Sequence, residues 1–290
     1  AALLLSALLS RLFSRPILRV TAAARELAAG HYDVSVPVST KDEIGQLTGA
    51  LNELGLELGK TEELRRELIA NVSHELRAPL TIIRGYAETV RDVTWPNEQK
   101  RTEQLNAICE ESARLGALVS DILDYSKLQS GAEAMHPETF SGEDALGELV
   151  QRFALAAGKR DVALELFCSG GPIRLDRGQF TQVMNNLLDN AVRHAKARTR
   201  IRVSCEARKD CTRISVENQG EPIPAEELPK IWDRYHRAPQ HGEAGGLGTG
   251  LGLAIVKSIL ERHGVAYGAE SDEQRTKFWF DTMPLESFFG

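Results

Sequence analysis

The chain has 290 residues, and 35 Lys+Arg against 41 Asp+Glu leave a net charge of −6. With 42% hydrophobic and 26% charged residues it is neither disordered nor fibrous, and its length suits roughly two domains. The acidic balance argues against nucleic acid as a partner, which needs a basic face. Four scattered cysteines without a C-x-x-C pair exclude a disulfide scaffold or a cysteine zinc site; they read as packed or partly buried thiols in a reducing compartment.

The chain begins AALLLSALLS followed by the basic RLFSRPILR. That apolar run is too short to span a bilayer, which takes about 20 residues, and it lacks the layout of a signal peptide. Residues 1–13 read as the end of a truncated transmembrane helix, with Arg11, Arg15 and Arg19 placing the remainder of the chain on the cytoplasmic side of the cell membrane. An ordinary apolar helix end is the alternative.

Ile17, Val20, Ala24, Leu27 and Ala28 predict a short helix closed by Gly30. YDVSVPV alternates, but Pro37 makes it a poor strand. A second helix starts near Lys41–Asp42 with Ile44, Leu47, Leu51, Leu54 and Leu58 as a narrow seam, which needs a partner helix. The pattern runs on through Leu64, Leu68 and Val72 to about Arg91, turns at Trp95-Pro96-Asn97-Glu98, and returns through Leu105, Ile108, Leu115, Leu118, Ile122 and Tyr125 to a stop between Gly131 and Pro137. Two such hairpins bury both stripes as a four-helix bundle, so a homodimer is expected. Beyond Pro137, strand-like runs from Val162, Thr199, Thr212 and Lys277 alternate with helical ones over 179–195 and 251–263, which predicts a separate α/β domain. The stretch 224–252 is rich in Gly, Pro and charge, and a loop that long is usually functional.

Three segments carry candidate chemistry. In Ser73-His74-Glu75-Leu76-Arg77-Ala78-Pro79-Leu80, Pro79 removes the hydrogen bond owed to the Glu75 carbonyl, so the helix is expected to bend beside His74. His74 points away from the Leu68, Val72 and Leu76 stripe. Neutral imidazole has a free lone pair, and Glu75 is placed to orient the ring and take its proton. An exposed histidine is by itself uninformative. In the run from Gln182 to His194, Asn186 and Asn190 lie four apart on one helix face, with Arg193 a turn further. Two neutral carbonyl oxygens suit Mg²⁺ when phosphates supply the charge, and Arg193 suits a phosphate; alone, a solvated face accounts equally well for these residues. Glycines over 245–252 lead directly into a helix, where backbone N–H groups and the helix dipole favour phosphate. No G-K-[ST] comes after them, and no strand leads directly in, so neither a P-loop nor a dinucleotide fold fits.

Taken together and in this order, these segments resemble the sensor histidine kinases of bacterial two-component systems over essentially the whole chain. Residues 14–60 look like a HAMP relay, with Pro16 early in its first helix and Asp42-Glu43-Ile44-Gly45 opening its second. Residues 61–131 look like the dimerisation and histidine phosphotransfer hairpin, with Ser73–Leu80 as the phosphoacceptor box. Asn185–His194 is similar to the asparagine box, Ile231–Arg237 to the aromatic box and Gly246–Val256 to the second glycine box. The implied fold is an all-α HAMP and dimeric helical-hairpin bundle followed by an α/β sandwich of the GHKL (Bergerat) type over 138–286, with a lid over ATP near 226–248.

By this resemblance His74 is the phosphoacceptor and Glu75 its general base. Asn186 and Asn190 bind Mg²⁺ with ATP, and Arg193 and His194 lie along the phosphates. Asn218, Gly220, Ile223, Gly248, Thr249, Gly250, Leu251 and Gly252 border the nucleotide. The implied reaction is ATP-dependent autophosphorylation of His74 and transfer to an Asp of a response regulator. Two positions depart from the pattern. Asn218 stands where the family has an Asp that accepts from the adenine amine, and Pro222 replaces a glycine nearby. Ala78 stands where Thr or Asn often holds a water for dephosphorylating the regulator, so weak phosphatase activity is expected. A non-catalytic scaffold and a chaperone- or topoisomerase-like ATPase are the rivals. The presence of His74, Glu75, both asparagines and the glycine run weighs against the first, and the phosphoacceptor hairpin against the second.

Overall fold

The computed structural model describes residues 3, 10–38, 40–130, 134–236 and 250–283, and the chain divides into two compact units, Ala1–Thr81 and Ile82–Gly290. No described helix is long and apolar enough to cross a membrane.

In the first unit, helix α1 (Arg15–Ala28) comes after a short π-helical turn over Ser10–Ser14, carries Pro16 in its first turn, and buries Val20, Ala23 and Leu27. Ile17, Ala24 and Ala28 of the expected stripe are exposed instead. Gly30 closes the helix at φ +91°, a left-handed conformation that glycine adopts without steric cost. The described residues of the connector form no strand. Asn52 of helix α2 (Glu43–Thr89) holds it: Val36 N–H donates to Asn52 Oδ1 at 2.9 Å, and Asn52 Nδ2 donates to the Val36 carbonyl at 2.8 Å. At the start of α2, Asp42 accepts from Thr40 Oγ1 at 2.5 Å and from Gly45 N–H at 3.1 Å. Those two bonds, Thr40 first, hold its carboxyl below the usual carboxylate range. A Cβ at residue 45 would sit 1.9 Å from the Thr40 carbonyl oxygen, so only glycine fits there. α2 has 47 residues and continues as helix through Pro79.

The second unit begins with the end of α2, a π-helical turn over Val90–Thr94, and helix α3 (Glu98–Ser130). The turn forms where Trp95 and Pro96 stand. Asn97 Oδ1 accepts from Lys100 N–H at 3.0 Å, and Arg101 donates to the Trp95 carbonyl at 2.7 Å while lying 5.1 Å from that ring's centre. The last turns of α3 join the α/β core: Tyr125 and Leu128 are buried in it, Gln182 donates to Asp124 at 2.9 Å, and the Arg234 guanidinium lies 4.8 Å from the Tyr125 ring centre.

The α/β part comprises β1 (Pro137–Phe140), α4 (Gly142–Gly158), β2 (Ala163–Cys168), β3 (Ile173–Asp176), α5 (Arg177–His194), β4 (Arg200–Ala207), β5 (Thr212–Asn218), α6 (Gly252–Arg262), β6 (Tyr267–Ser271) and β7 (Thr276–Asp281). A five-stranded sheet runs β2-β4-β5-β7-β6, parallel only between β2 and β4, and β1 pairs with β3 as a separate antiparallel ribbon. The three helices cover one face, where Leu146, Met184, Leu187, Leu188, Ile201, Ile214, Phe278 and Phe280 form the core. Alternation along β4 and β7 sends Arg202, Lys277 and Trp279 to the other face. The sandwich agrees with expectation, and α4, β1, β3 and β6 are elements that the sequence patterns do not separate.

Candidate active site

α5 presents its apolar stripe (Val183, Met184, Leu187, Leu188, Ala191) to the sheet, which turns Asn186 and Asn190 to the opposite side, both half-buried. Asp176 caps this helix by accepting from Gln179 N–H at 3.0 Å. Burial pushes the Asp176 carboxyl up, but bonds from the Gln179, His136 and Gly178 backbones outweigh it and hold the group below its usual value. Asn186 Nδ2 donates back to the Gln182 carbonyl at 3.0 Å, which turns its oxygen outward. That oxygen faces the first residue of α6: a Cβ at Gly252 would lie 2.9 Å from Asn186 Oδ1. Asn186 and the start of α6 thus lie side by side, with room between them because residue 252 has no side chain.

The second glycine of the site is held differently. Gly250 has φ +67°, and a Cβ there would lie 2.7 Å from Tyr235 Cα, while Tyr235 N–H donates to the Gly250 carbonyl at 2.9 Å. This ties the aromatic box to the helix start, with Leu251 fully buried beside it. Gly248 and Thr249, with Arg237, lie outside the described residues.

Asn218, Gly220 and Ile223, which the resemblance places beside the nucleotide, lie at and just after the end of β5. Asn218 is buried and in register with Ile201 and Thr276. A Cβ at Gly220 would lie 2.5 Å from the His194 carbonyl oxygen, so the β5 loop runs directly against the end of α5. Ile223 N–H donates to Ser271 Oγ at 2.9 Å, and Ser271 in turn bonds Thr276 at 2.8 Å. Nothing in the sequence marks Ser271 and Thr276, because they reach the loop only through the β6–β7 pairing.

Arg193 and His194 stand at the last turn of α5, where Arg193 forms an ion pair with Asp189. Desolvation, and then the charges of Arg193 and Arg160, hold the His194 imidazole below its ordinary value, favouring the neutral ring. Below Tyr235, His236 Nε2 lies 2.6 Å from Glu227 Oε2, a pair the sequence does not suggest.

His74 and Glu75 lie on α2 in the first unit, apart in sequence from all the residues above. His74 is exposed, Glu75 is half-buried, and Pro79 below them is buried. Ala78 is exposed one turn beyond His74, on the same face of the helix.

The fold agrees with comparisons to known proteins. Residues 175–287 match the family described as histidine kinase-, DNA gyrase B- and HSP90-like ATPase, 64–131 the His Kinase A (phospho-acceptor) domain, and 8–60 the HAMP domain. The chain is 32% identical over 248 residues to the sensor protein kinase WalK of Staphylococcus haemolyticus, covering 84% of this chain and 41% of that protein. It is 31% identical over 252 residues to the WalK of Staphylococcus aureus, covering 84% of this chain and 60% of that one. Among solved structures it is similar to the histidine kinase ThkA in complex with the response regulator protein TrrA, with a TM-score of 0.62, 28% identity, and coverage of 79% of this chain and 67% of that one. The α/β unit is therefore of the GHKL type.

Proposed function

Because this chain belongs to the sensor histidine kinases of two-component signalling, we propose that it transfers the γ-phosphoryl group of ATP to a ring nitrogen of His74 and then to an Asp of a response regulator. One observation carries the reading: Asn186 turns its oxygen toward a side-chain-free helix start at Gly252. That combination suits a phosphate chain with its cation. Mg²⁺, held by the carbonyl oxygens of Asn186 and Asn190, supplies charge neutralisation when bound; their neutral donor set fits a cation already balanced by phosphates.

The residues of the chain then have these roles. The α6 N-terminus and the Gly250–Gly252 backbone orient the phosphates. Arg193 and His194 lie along them, and Asn218, Gly220, Ile223, Leu251 and, by position, Gly248 and Thr249 border the nucleotide. Glu75 orients His74 and takes its proton as the nitrogen attacks. Catalysis is mainly positioning, as in phosphoryl transfer generally. Exposed Leu47, Leu54 and Leu58 on α2 support a homodimer that covers them. Arg11, Arg15 and Arg19 support a membrane-anchored protein with these units on the cytoplasmic side. The methyl group of Ala78 cannot hold a water, which supports weak phosphatase activity toward the regulator.

The test is incubation of the full chain with γ-labelled ATP and Mg²⁺. The expected label is acid-labile and base-stable, and His74→Gln abolishes it while ATP binding persists. Persistent labelling of the variant overturns the assignment of His74.

A further inference from the structure

Cys168 and Cys205 are 37 positions apart in the sequence, yet they are partners in the β2–β4 ladder. The two strands are parallel, and residues in register on parallel strands project from the same face of the sheet. Both thiols lie on the core face: Cys205 is fully buried, in line with Ile201 and Val203, and Cys168 packs against the same cluster while remaining partly accessible. Paired strands stand about 4.8 Å apart, inside the roughly 4.4–6.8 Å between Cα atoms that a disulfide spans.

Two glycines leave the Cys205 sulfur its room. A Cβ at Gly170 would lie 2.7 Å from Cys205 Sγ, and one at Gly142 would lie 3.1 Å from it. Ser169 N–H donates to the Cys205 carbonyl at 2.9 Å, which fastens the end of β2 to β4 beside the pair. β2 is an edge strand, so Cys168 is reached from outside the sheet. The remaining cysteines are placed differently: Cys109 is exposed on α3, in contrast to the packed thiol expected from sequence, and Cys211 is half-buried just before β5.

We propose that Cys168 and Cys205 are a redox modification site that closes to a reversible intramolecular disulfide when a hydroperoxide is the oxidant. The Cys168 thiolate attacks the peroxide, the O–O bond breaks, and a sulfenic acid forms at Cys168 with release of water or an alcohol. Cys205 sulfur then attacks Cys168 sulfur, the S–O bond breaks, and the departing hydroxide leaves as water with the Cys205 proton. Two thiols are oxidised by two electrons and the peroxide is reduced by two. The order of events is set by the surroundings: burial, and then the neighbouring Cys168 thiol, push the Cys205 thiol up to about 12, so it is the slow, resolving partner. Sheet spacing holds the Cβ atoms wider than the approximately 3.8 Å a relaxed disulfide prefers, and strained bridges are the readily reduced ones. The closed loop contains β3 and α5, and therefore both Asn186 and Asn190.

The test uses the full chain carrying Cys109→Ser and Cys211→Ser, treated while folded with a small molar excess of hydrogen peroxide. The expected result is a mass loss of about 2 Da, a peptide linking Cys168 to Cys205, and full reversal by dithiothreitol. Adding Cys168→Ser removes the link, and Cys205→Ser instead leaves a sulfenic acid at Cys168 that dimedone traps. Unchanged mass with both thiols still alkylatable after unfolding overturns the proposal, as does oxygen addition without a link, or a link that forms only in denatured protein.

Discussion

Asn218 ends β5 with 3% of its surface exposed, at a position where the resemblance to sensor histidine kinases implies an Asp. An amide oxygen accepts from an amine neutrally, whereas a carboxylate accepts with charge assistance worth about 1 kcal/mol more. The amide also brings a donor, which tolerates a base with a carbonyl in that place. Asn218→Asp is therefore expected to tighten ATP binding about five- to tenfold and to sharpen preference for ATP over GTP. The buried carboxylate is uncompensated until nucleotide binds, so the ligand-free protein should melt a few degrees lower. Calorimetry of both nucleotides on both proteins decides the matter, and equal ATP:GTP ratios in the two would refute this role for Asn218.

At the scale of elements, the site depends on how two helices meet. Gly252 starts α6 in an ordinary helical conformation, and the atom its absent Cβ would strike is the mobile tip of Asn186. Gly→Ala inside a helix usually stabilises by about 0.5–1 kcal/mol. Gly252→Ala should accordingly leave the melting temperature within about 2 °C of wild type, because a side-chain tip swings aside cheaply. The same swing displaces the proposed Mg²⁺ ligand, so ATP affinity should fall at least tenfold. A thermal melt and a nucleotide titration on the same sample separate the two effects; unchanged affinity would show that Asn186 is only a polar surface residue. Gly250 and Gly220 make a useful contrast, since both would strike backbone, and substitution there costs the fold as well.

The same scale shows how much is legible in the sequence. α5 and α6 are marked to within two residues because their stripes repeat at helical spacing over three turns or more. The phosphoacceptor and asparagine boxes are legible because each is a contiguous run on one helix. α4 carries an equally good signal, with Ala145, Leu146, Leu149 and Ala157 buried behind a Ser141 cap, but the louder strand run just after it masks that signal. β1, β3 and β6 have four or five residues each, too few for alternation to show. Cys168 beside Cys205 arises from strand pairing 37 residues apart, and Ser271 reaches Ile223 through a side-chain bond 48 residues away, neither of which a local pattern encodes.

At the scale of the whole molecule, α2 carries an apolar seam that the single chain does not cover. Leu47 is 54% and Leu54 53% exposed, two turns apart on one face, with Leu58 a further turn along. Scattered surface leucines are ordinary, but leucines at three- and four-residue steps along a 47-residue helix form a line, and a line suits a second helix. In a symmetric dimer each substitution acts twice. Covering the exposed half of a leucine is worth about 1 kcal/mol, so Leu47→Lys with Leu54→Lys removes roughly 4 kcal/mol of association, close to a thousandfold in Kd, before any cost of facing lysines. Both side chains are already solvated in the protomer, so its own fold should hold, with unchanged circular dichroism. Sedimentation velocity between about 0.1 and 100 µM should move the variant to monomer where wild type is dimeric. ATP binding, for which the proposed residues all belong to the second unit, should persist in that monomer. A variant that still dimerises like wild type would mean that this seam faces water, and that association, if the chain associates, uses another face.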